Sequence, residues 1–149
     1  MQLTLYTDYS LRVLLYLAQK EDGPATISEI ADFYGISRNH LVKVVHHLGT
    51  IGLLHTTRGK GGGVRLAKAP SEIRIGEVVR ATEPHFHLVE CFDPDAPTCS
   101  VLNDCRLKGV LGEATRAFFQ VLDGYTLADM LGESATAVAT VPVSRIQRS

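Results

Sequence analysis

The residues with the richest chemistry in this sequence are its three cysteines. All lie in one stretch, Cys91-Phe92-Asp93-Pro94-Asp95-Ala96-Pro97-Thr98-Cys99-Ser100-Val101-Leu102-Asn103-Asp104-Cys105, at spacings of seven and five intervening residues. Two prolines, two acids and no hydrophobic period between Cys91 and Cys99 argue against a helix or strand there, so the sulfurs sit on backbone free to fold around something. A disulfide would leave one cysteine over. Zinc takes Cys₃His sets, and His85 and His87 lie just upstream, but zinc motifs usually pair cysteines two to four residues apart. Wider, uneven thiolate spacing suits an iron–sulfur cluster, which is bulkier than one ion and is held chiefly by cysteine thiolates. Iron–sulfur, zinc and unliganded thiols acting as a redox switch all remain open on spacing alone.

The rest of the chain must position that stretch. Its 149 residues, 45% hydrophobic, suffice for one domain, or for a small domain plus an oligomerisation element. No apolar run approaches the roughly 18 residues a membrane span needs. Met1-Gln2-Leu3-Thr4 lacks the basic region that precedes the apolar core of a secretory signal, so a reducing, cytoplasmic location is expected. The net charge of −1 hides an asymmetry. Residues 1–82 carry ten Lys/Arg against seven Asp/Glu, and residues 83–149 five against nine. From Gly35 to Lys68 there are Arg38, Lys43, Arg58, Lys60, Arg65, Lys68, four histidines and no acid, an electrostatic footprint for a polyanion.

In chain order, Leu11, Leu14, Leu15 and Ala18 recur at helical spacing after Thr7, a candidate N-cap, and predict a helix over Asp8–Gln19. Asp8 falls in its first turn, where a carboxylate complements the helix dipole. Thr26-Ile27-Ser28-Glu29 fits a capping box opening a short helix that ends at Gly35. Ser37 then caps a helix with an apolar stripe of Leu41, Val44, Val45 and Leu48. Two helices joined by so tight a turn form a helix-turn-helix, whose second member presents its N-terminal residues to base edges in the major groove. Here those are Ser37, Arg38, Asn39 and His40, with Lys43 one turn on. His46 and His47, further along, receive no role.

Leu53–Thr57 and Val64–Leu66 read as strands flanking Arg58-Gly59-Lys60-Gly61-Gly62-Gly63. The stretch fails the nucleotide-loop patterns, because Lys60 is not followed by Ser or Thr and no strand–loop–helix order appears. A DNA-contacting wing fits better: Gly59, Gly61 and their neighbours let backbone approach phosphate closely, Lys60 adds charge, and Arg58 suits a narrow minor groove. Ser71 is a candidate cap for a helix carrying Ile75, Val78 and Val79. After Cys105, Leu107, Val110, Leu111, Ala114, Phe118, Val121 and Leu122 give a long amphipathic helix with nothing left in one domain to cover it, so a homodimer is expected. Tyr125–Leu131 suggests one short capped helix. The expected fold is mainly α: a winged helix-turn-helix over 1–82, a ligand-binding loop over 83–105, a dimerisation helix and short C-terminal helix over 106–131, and a mobile tail over 132–149.

Together these residues resemble the iron–sulfur winged-helix transcription regulators. The likeness covers residues 1 to 131 and rests on Met1–Thr4 with Thr7-Asp8-Tyr9, Ser37-Arg38-Asn39-His40, the Arg58–Gly63 wing, Ile73–Val79, the three cysteines ending in Cys105-Arg106-Leu107, and Tyr125-Thr126-Leu127-Ala128-Asp129. The Ser-Arg-Asn-His and Tyr-Thr-Leu-Ala-Asp runs look most like the nitric-oxide-sensitive repressors of that family. The resemblance implies a homodimer on palindromic operator DNA, with a cluster, 4Fe-4S by the subfamily or else 2Fe-2S, held by Cys91, Cys99 and Cys105. In the cluster-biogenesis branch a histidine near the third cysteine completes the ligands. Here Arg106-Leu107-Lys108 follows Cys105, so the resemblance points to Asp8 of the partner protomer, with His85, His87 and Glu90 as alternatives. It also implies repression while the cluster is intact and operator release on nitrosylation. Other readings are a regulator answering to redox poise or iron supply, a zinc or thiol regulator, and an enzyme or electron carrier. Against the last, no Ser/His/Asp or Cys/His pairing is readable.

Overall fold

Thr4, three residues before the cap expected from sequence, starts helix α1 (Leu5–Gln19) by accepting the Thr7 N–H on its hydroxyl at 3.3 Å. Thr7 cannot cap because it is fully buried inside the helix. The computed structural model describes residues 2–95, 99–100 and 105–132. Asp8 keeps its place in the first turn. The deepest face of α1 is Val13, Leu14 and Leu17, while Leu11, Leu15 and Ala18 are half-buried. The difference has a tertiary cause: α1 packs on α3 (Arg38–Thr50), α4 (Ile75–Thr82) and the second hairpin strand, so apolar residues are useful around most of its circumference.

Helix α2 (Ile27–Tyr34) opens with the predicted box: the Glu29 N–H donates to Thr26 Oγ1 at 3.1 Å, and the Thr26 N–H donates to Glu29 Oε2 at 3.3 Å. Glu29 also accepts from Lys20 Nζ and Tyr16 Oη, each at 2.7 Å, tying α2 to α1. Those two donors, Lys20 first, hold its carboxyl down at about 2. Gly35 ends α2 with φ +65°, and Ile36, buried in the turn, donates its N–H to Ala31 O at 3.0 Å. Ser37 takes the N-cap position of α3 without a side-chain hydrogen bond. Leu41, Val44, Val45 and Leu48 are buried as the stripe predicts.

Strands β1 (Leu54–Thr57) and β2 (Gly63–Leu66) pair antiparallel, with Leu54 opposite Leu66 and Thr57 opposite Gly63. Val64 exchanges two backbone hydrogen bonds with Ala25, at 2.8 and 2.9 Å, which anchors the hairpin to the start of α2.

Ser71 does not cap α4. It lies in one turn of 3₁₀-helix, Pro70–Glu72, and Arg74 holds the N-cap position. The first α4 amide finds its acceptor elsewhere: Ile75 N–H donates to Tyr125 O at 3.0 Å. Tyr125 follows α5 (Arg106–Asp123). The short helix expected over Tyr125–Leu131 is only a 3₁₀ turn at Ala128–Met130, where Asp129 Oδ2 accepts from the Thr126 N–H and hydroxyl at 2.6 and 2.7 Å. Its Leu127 is fully buried in the winged-helix core beside Ile73, whose carbonyl accepts the Leu127 N–H at 2.8 Å. By contrast α5 buries no residue fully within the protomer; Leu107, Val110 and Val121 are 64%, 61% and 61% exposed, while Leu111, Phe118 and Leu122 are half-buried, so the predicted stripe is only partly covered. Among the described residues no helix is long and apolar enough to cross a membrane. The segment expected as a tail lies beyond the described residues from 133 onward.

Candidate nucleic-acid interface and cysteine segment

Burial of the Leu41 stripe turns the opposite face of α3 outward, and Ser37, Arg38, Asn39, His40 and Lys43 are all exposed on it. Behind them two tyrosines of α1 brace the helix. The Tyr9 ring stacks on His40 at 6.2 Å between centroids, and Tyr6 lies 5.7 Å from His47. His47, given no role from sequence, is thus a packing residue. Among the described residues Arg38, Lys43, Arg58 and Lys60 form no ion pair with a protein carboxylate, so their charge is available to an external polyanion.

The wing tip Arg58–Gly61 is exposed. Its glycines divide by cause. Gly59 and Gly61 sit at φ +96° and +79°, conformations side-chain-bearing residues rarely adopt. Gly63 has no room: a Cβ there would stand 2.6 Å from Ala25 O, where the hairpin meets α2. The fold itself therefore demands part of a pattern that sequence reading assigned to DNA approach alone. Arg58→Ala is expected to weaken operator binding and to reduce the slope of log affinity against log salt by about one, because one cation leaves the interface. A salt titration of the variant checks this, and unchanged affinity removes the wing from the interface.

The three thiols are all free. Cys91 lies half-buried in one turn of 3₁₀-helix, Glu90–Phe92, and Cys99 is exposed. Cys105 is half-buried and caps α5, its Sγ accepting the Lys108 N–H at 3.4 Å. Residues 96–98 and 101–104 between them lie outside the described residues. Among the described residues no three Cys, His, Asp or Glu side chains gather as a metal site. The donor chemistry nevertheless fits an iron–sulfur cluster: three free cysteines share one segment, and such clusters are held chiefly by cysteine sulfur. His85 and His87 stack on each other at 4.7 Å, and His87 Nδ1 stands 3.9 Å from Asp93 Oδ2.

Asp8, at 39% side-chain exposure, is occupied within its own helix. Arg12 Nε and Nη2 donate to its two oxygens at 3.1 and 2.8 Å. Arg12 has no sequence motif of its own, but its i,i+4 spacing from Asp8 is the local signal of the pair. Close by, Glu83 Oε1 accepts from the Thr4 N–H at 2.6 Å and from the Thr4 hydroxyl at 3.0 Å, joining the first turn of α1 to the start of the cysteine segment.

A helix-turn-helix with a basic wing, followed by a three-thiol segment and a partly covered helix, is the arrangement against which known proteins can be compared. The profile of the Rrf2 family, described as an iron-dependent transcriptional regulator, matches residues 3–133. The chain belongs to the Rrf2 family. Among curated relatives, it is 55% identical over 132 residues to the HTH-type transcriptional regulator NsrR of Shouchella clausii, covering 88% of this chain and 89% of that one. It is 52% identical to the protein of the same name in Bacillus subtilis, over 88% and 90% of the two chains. Among solved structures, this Rrf2 protein resembles CymR, the global cysteine regulator of B. subtilis, with a TM-score of 0.71 at 27% identity, covering 88% and 96% of the chains. It also resembles T. potens IscR, with a TM-score of 0.70 at 28% identity over 92% and 93%. The Rrf2 chain is a transcription regulator and not an enzyme, and its winged-helix fold is the expected one.

Proposed function

We propose that this Rrf2 regulator is a cytoplasmic, homodimeric repressor that reports nitric oxide through an iron–sulfur cluster. Cys91, Cys99 and Cys105 would hold the cluster, with Asp8 of the partner protomer as the fourth ligand and 4Fe-4S as the favoured type. The observation that carries this reading is the position of Cys105: the last thiol of the segment is also the cap of α5, the helix that leaves Leu107, Val110 and Val121 exposed. Whatever holds Cys105 therefore also holds the start of the dimerisation helix. When bound, the cluster supplies iron sites that can react with a small diatomic molecule.

The protein's own residues do the rest. Ser37, Arg38, Asn39, His40 and Lys43 meet the major groove, and Arg58, Gly59, Lys60 and Gly61 reach the flanking backbone or minor groove. Residues 1–82 form the DNA-binding unit, 83–105 the ligand loop and 106–131 the dimerisation helix and the C-terminal turn, whose Leu127 returns to the winged-helix core. Pairing of α5 with its copy buries Leu107, Val110 and Val121 and sets two recognition helices near one DNA turn apart, roughly 34 Å. Asp8, which pairs with Arg12 in the protomer, would be the carboxylate offered to the partner's cluster, and would then join the first turn of α1 to the partner's cysteine segment. Tyr6 and Tyr9 brace α3 from the same helix, so a change in what Asp8 holds would be passed to the recognition face through those two rings. A 10- to 100-fold loss of operator affinity needs a coupling of only about 1.4–2.8 kcal/mol.

Anaerobic purification, a visible spectrum and an operator titration before and after stoichiometric nitric oxide test the proposal. A brown protein whose absorbance and DNA affinity fall together is expected. A colourless protein that binds DNA whatever the nitric oxide level would leave the winged helix in place and return the thiols to zinc or redox chemistry. A brown protein answering only to oxygen or iron depletion would replace the signal.

A further inference from the structure

Asp123, the last residue of α5, is gripped from two sides by the DNA-binding domain. Its carboxylate accepts from Arg80 Nη1 and Nη2 of α4, each at 2.6 Å, in a fork-on-fork pair. Its carbonyl accepts from Arg74 Nη1 at 2.9 Å. Gly76 leaves the room, since a Cβ there would collide with Asp123 Oδ1. The Arg80 guanidinium in turn lies over the Phe119 ring at 4.1 Å, and Phe119 meets Phe86 edge-on at 4.5 Å. Arg80 and Asp123 are 43% and 40% exposed, and an exposed pair contributes little to stability. So planar and directional a grip on a surface pair serves orientation instead.

We propose that the Arg80–Asp123 clamp is a specificity-determining element: it fixes the angle at which α5 leaves the winged helix and so selects the spacing between operator half-sites. The inference rests on the homodimer reading above. An 18-residue helix is about 27 Å long, at roughly 1.5 Å per residue. A swing of about 10° at the Asp123 end displaces the other end by about 5 Å, more than one base-pair step of roughly 3.4 Å. A lysine at position 80 keeps the charge but cannot form the fork.

The test uses the anaerobically purified full chain, native and Arg80→Lys, with Asp123→Asn as a second variant. Binding is measured on operators whose half-sites are moved one base pair closer or farther, alongside an isolated half-site. The native protein should prefer its own spacing about tenfold or more. Both variants should narrow that preference to about threefold or less, while half-site affinity, sedimentation as a dimer and thermal midpoint stay close to native. Native-like spacing preference in both variants overturns the clamp alone. A native chain that sediments as a monomer, or binds all spacings equally, overturns the homodimer reading and the clamp with it.

Discussion

Cys99→Ala should give a colourless protein that has lost about 10- to 100-fold or more in operator affinity while keeping its thermal midpoint. The separation of effects follows from where each thiol sits. Cys105 caps α5 through Lys108, so its replacement removes a helix cap as well as a proposed ligand. Cys91 is half-buried in its own turn. Cys99 is exposed, so alanine there removes the proposed ligand and little else. Visible absorbance, operator titration and a thermal melt read the three consequences independently. If the colourless variant still binds its operator tightly and specifically, DNA binding does not depend on the cluster and the proposed sensing mechanism fails.

The largest loss of stability from a single truncation outside the helix-turn-helix is expected at Leu127. Its side chain is fully buried with Ile73, Val78 and Leu14, although it comes from the far end of the chain. Leu127→Ala should cost about 2–5 kcal/mol, the usual range for opening a cavity in a packed core. For a domain of this size that lowers Tm by roughly ten degrees or more. The effect should extend to α5, because the same segment accepts the first amide of α4 at Tyr125 and donates to Ile73. Met130, 39% exposed in the adjoining turn, is the control, and Met130→Ala should stay within about 0.5 kcal/mol of native. Equal melting of the Leu127 and Met130 variants would mean that the C-terminal segment merely rests on the domain.

That segment marks where sequence reading reached its limit. Tyr125-Thr126-Leu127-Ala128-Asp129 carries a good capping pattern, and Asp129 does satisfy Thr126. The same local chemistry suits a helix or a single 3₁₀ turn, and the choice fell to Leu127, whose burial in a distant core fixes the chain's path. Ser71 is a parallel case. It is a competent cap by type, but the amide of Ile75 had a carbonyl from Tyr125 at hand. At the other end Thr4 and Thr7 are equally good caps by composition, and the burial of Thr7 decided between them.

What the sequence by itself determined are the features carried by short-range chemistry. These are the capping box at Thr26, the Gly35 turn, the buried stripe of α3 with its non-acidic outer face, the glycine-rich hairpin, and the amphipathic character of α5. The grouping of the three thiols in one segment is likewise a local fact of residue type and spacing, on which the proposed ligand role rests. Only the tertiary structure decided that Arg80 and Arg74 close on Asp123 across 43 and 49 residues, that Gly76 exists to admit Asp123, and that Leu127 belongs to the winged-helix core. Contacts of that kind leave no period in the sequence, because their partners meet only after the helices have packed.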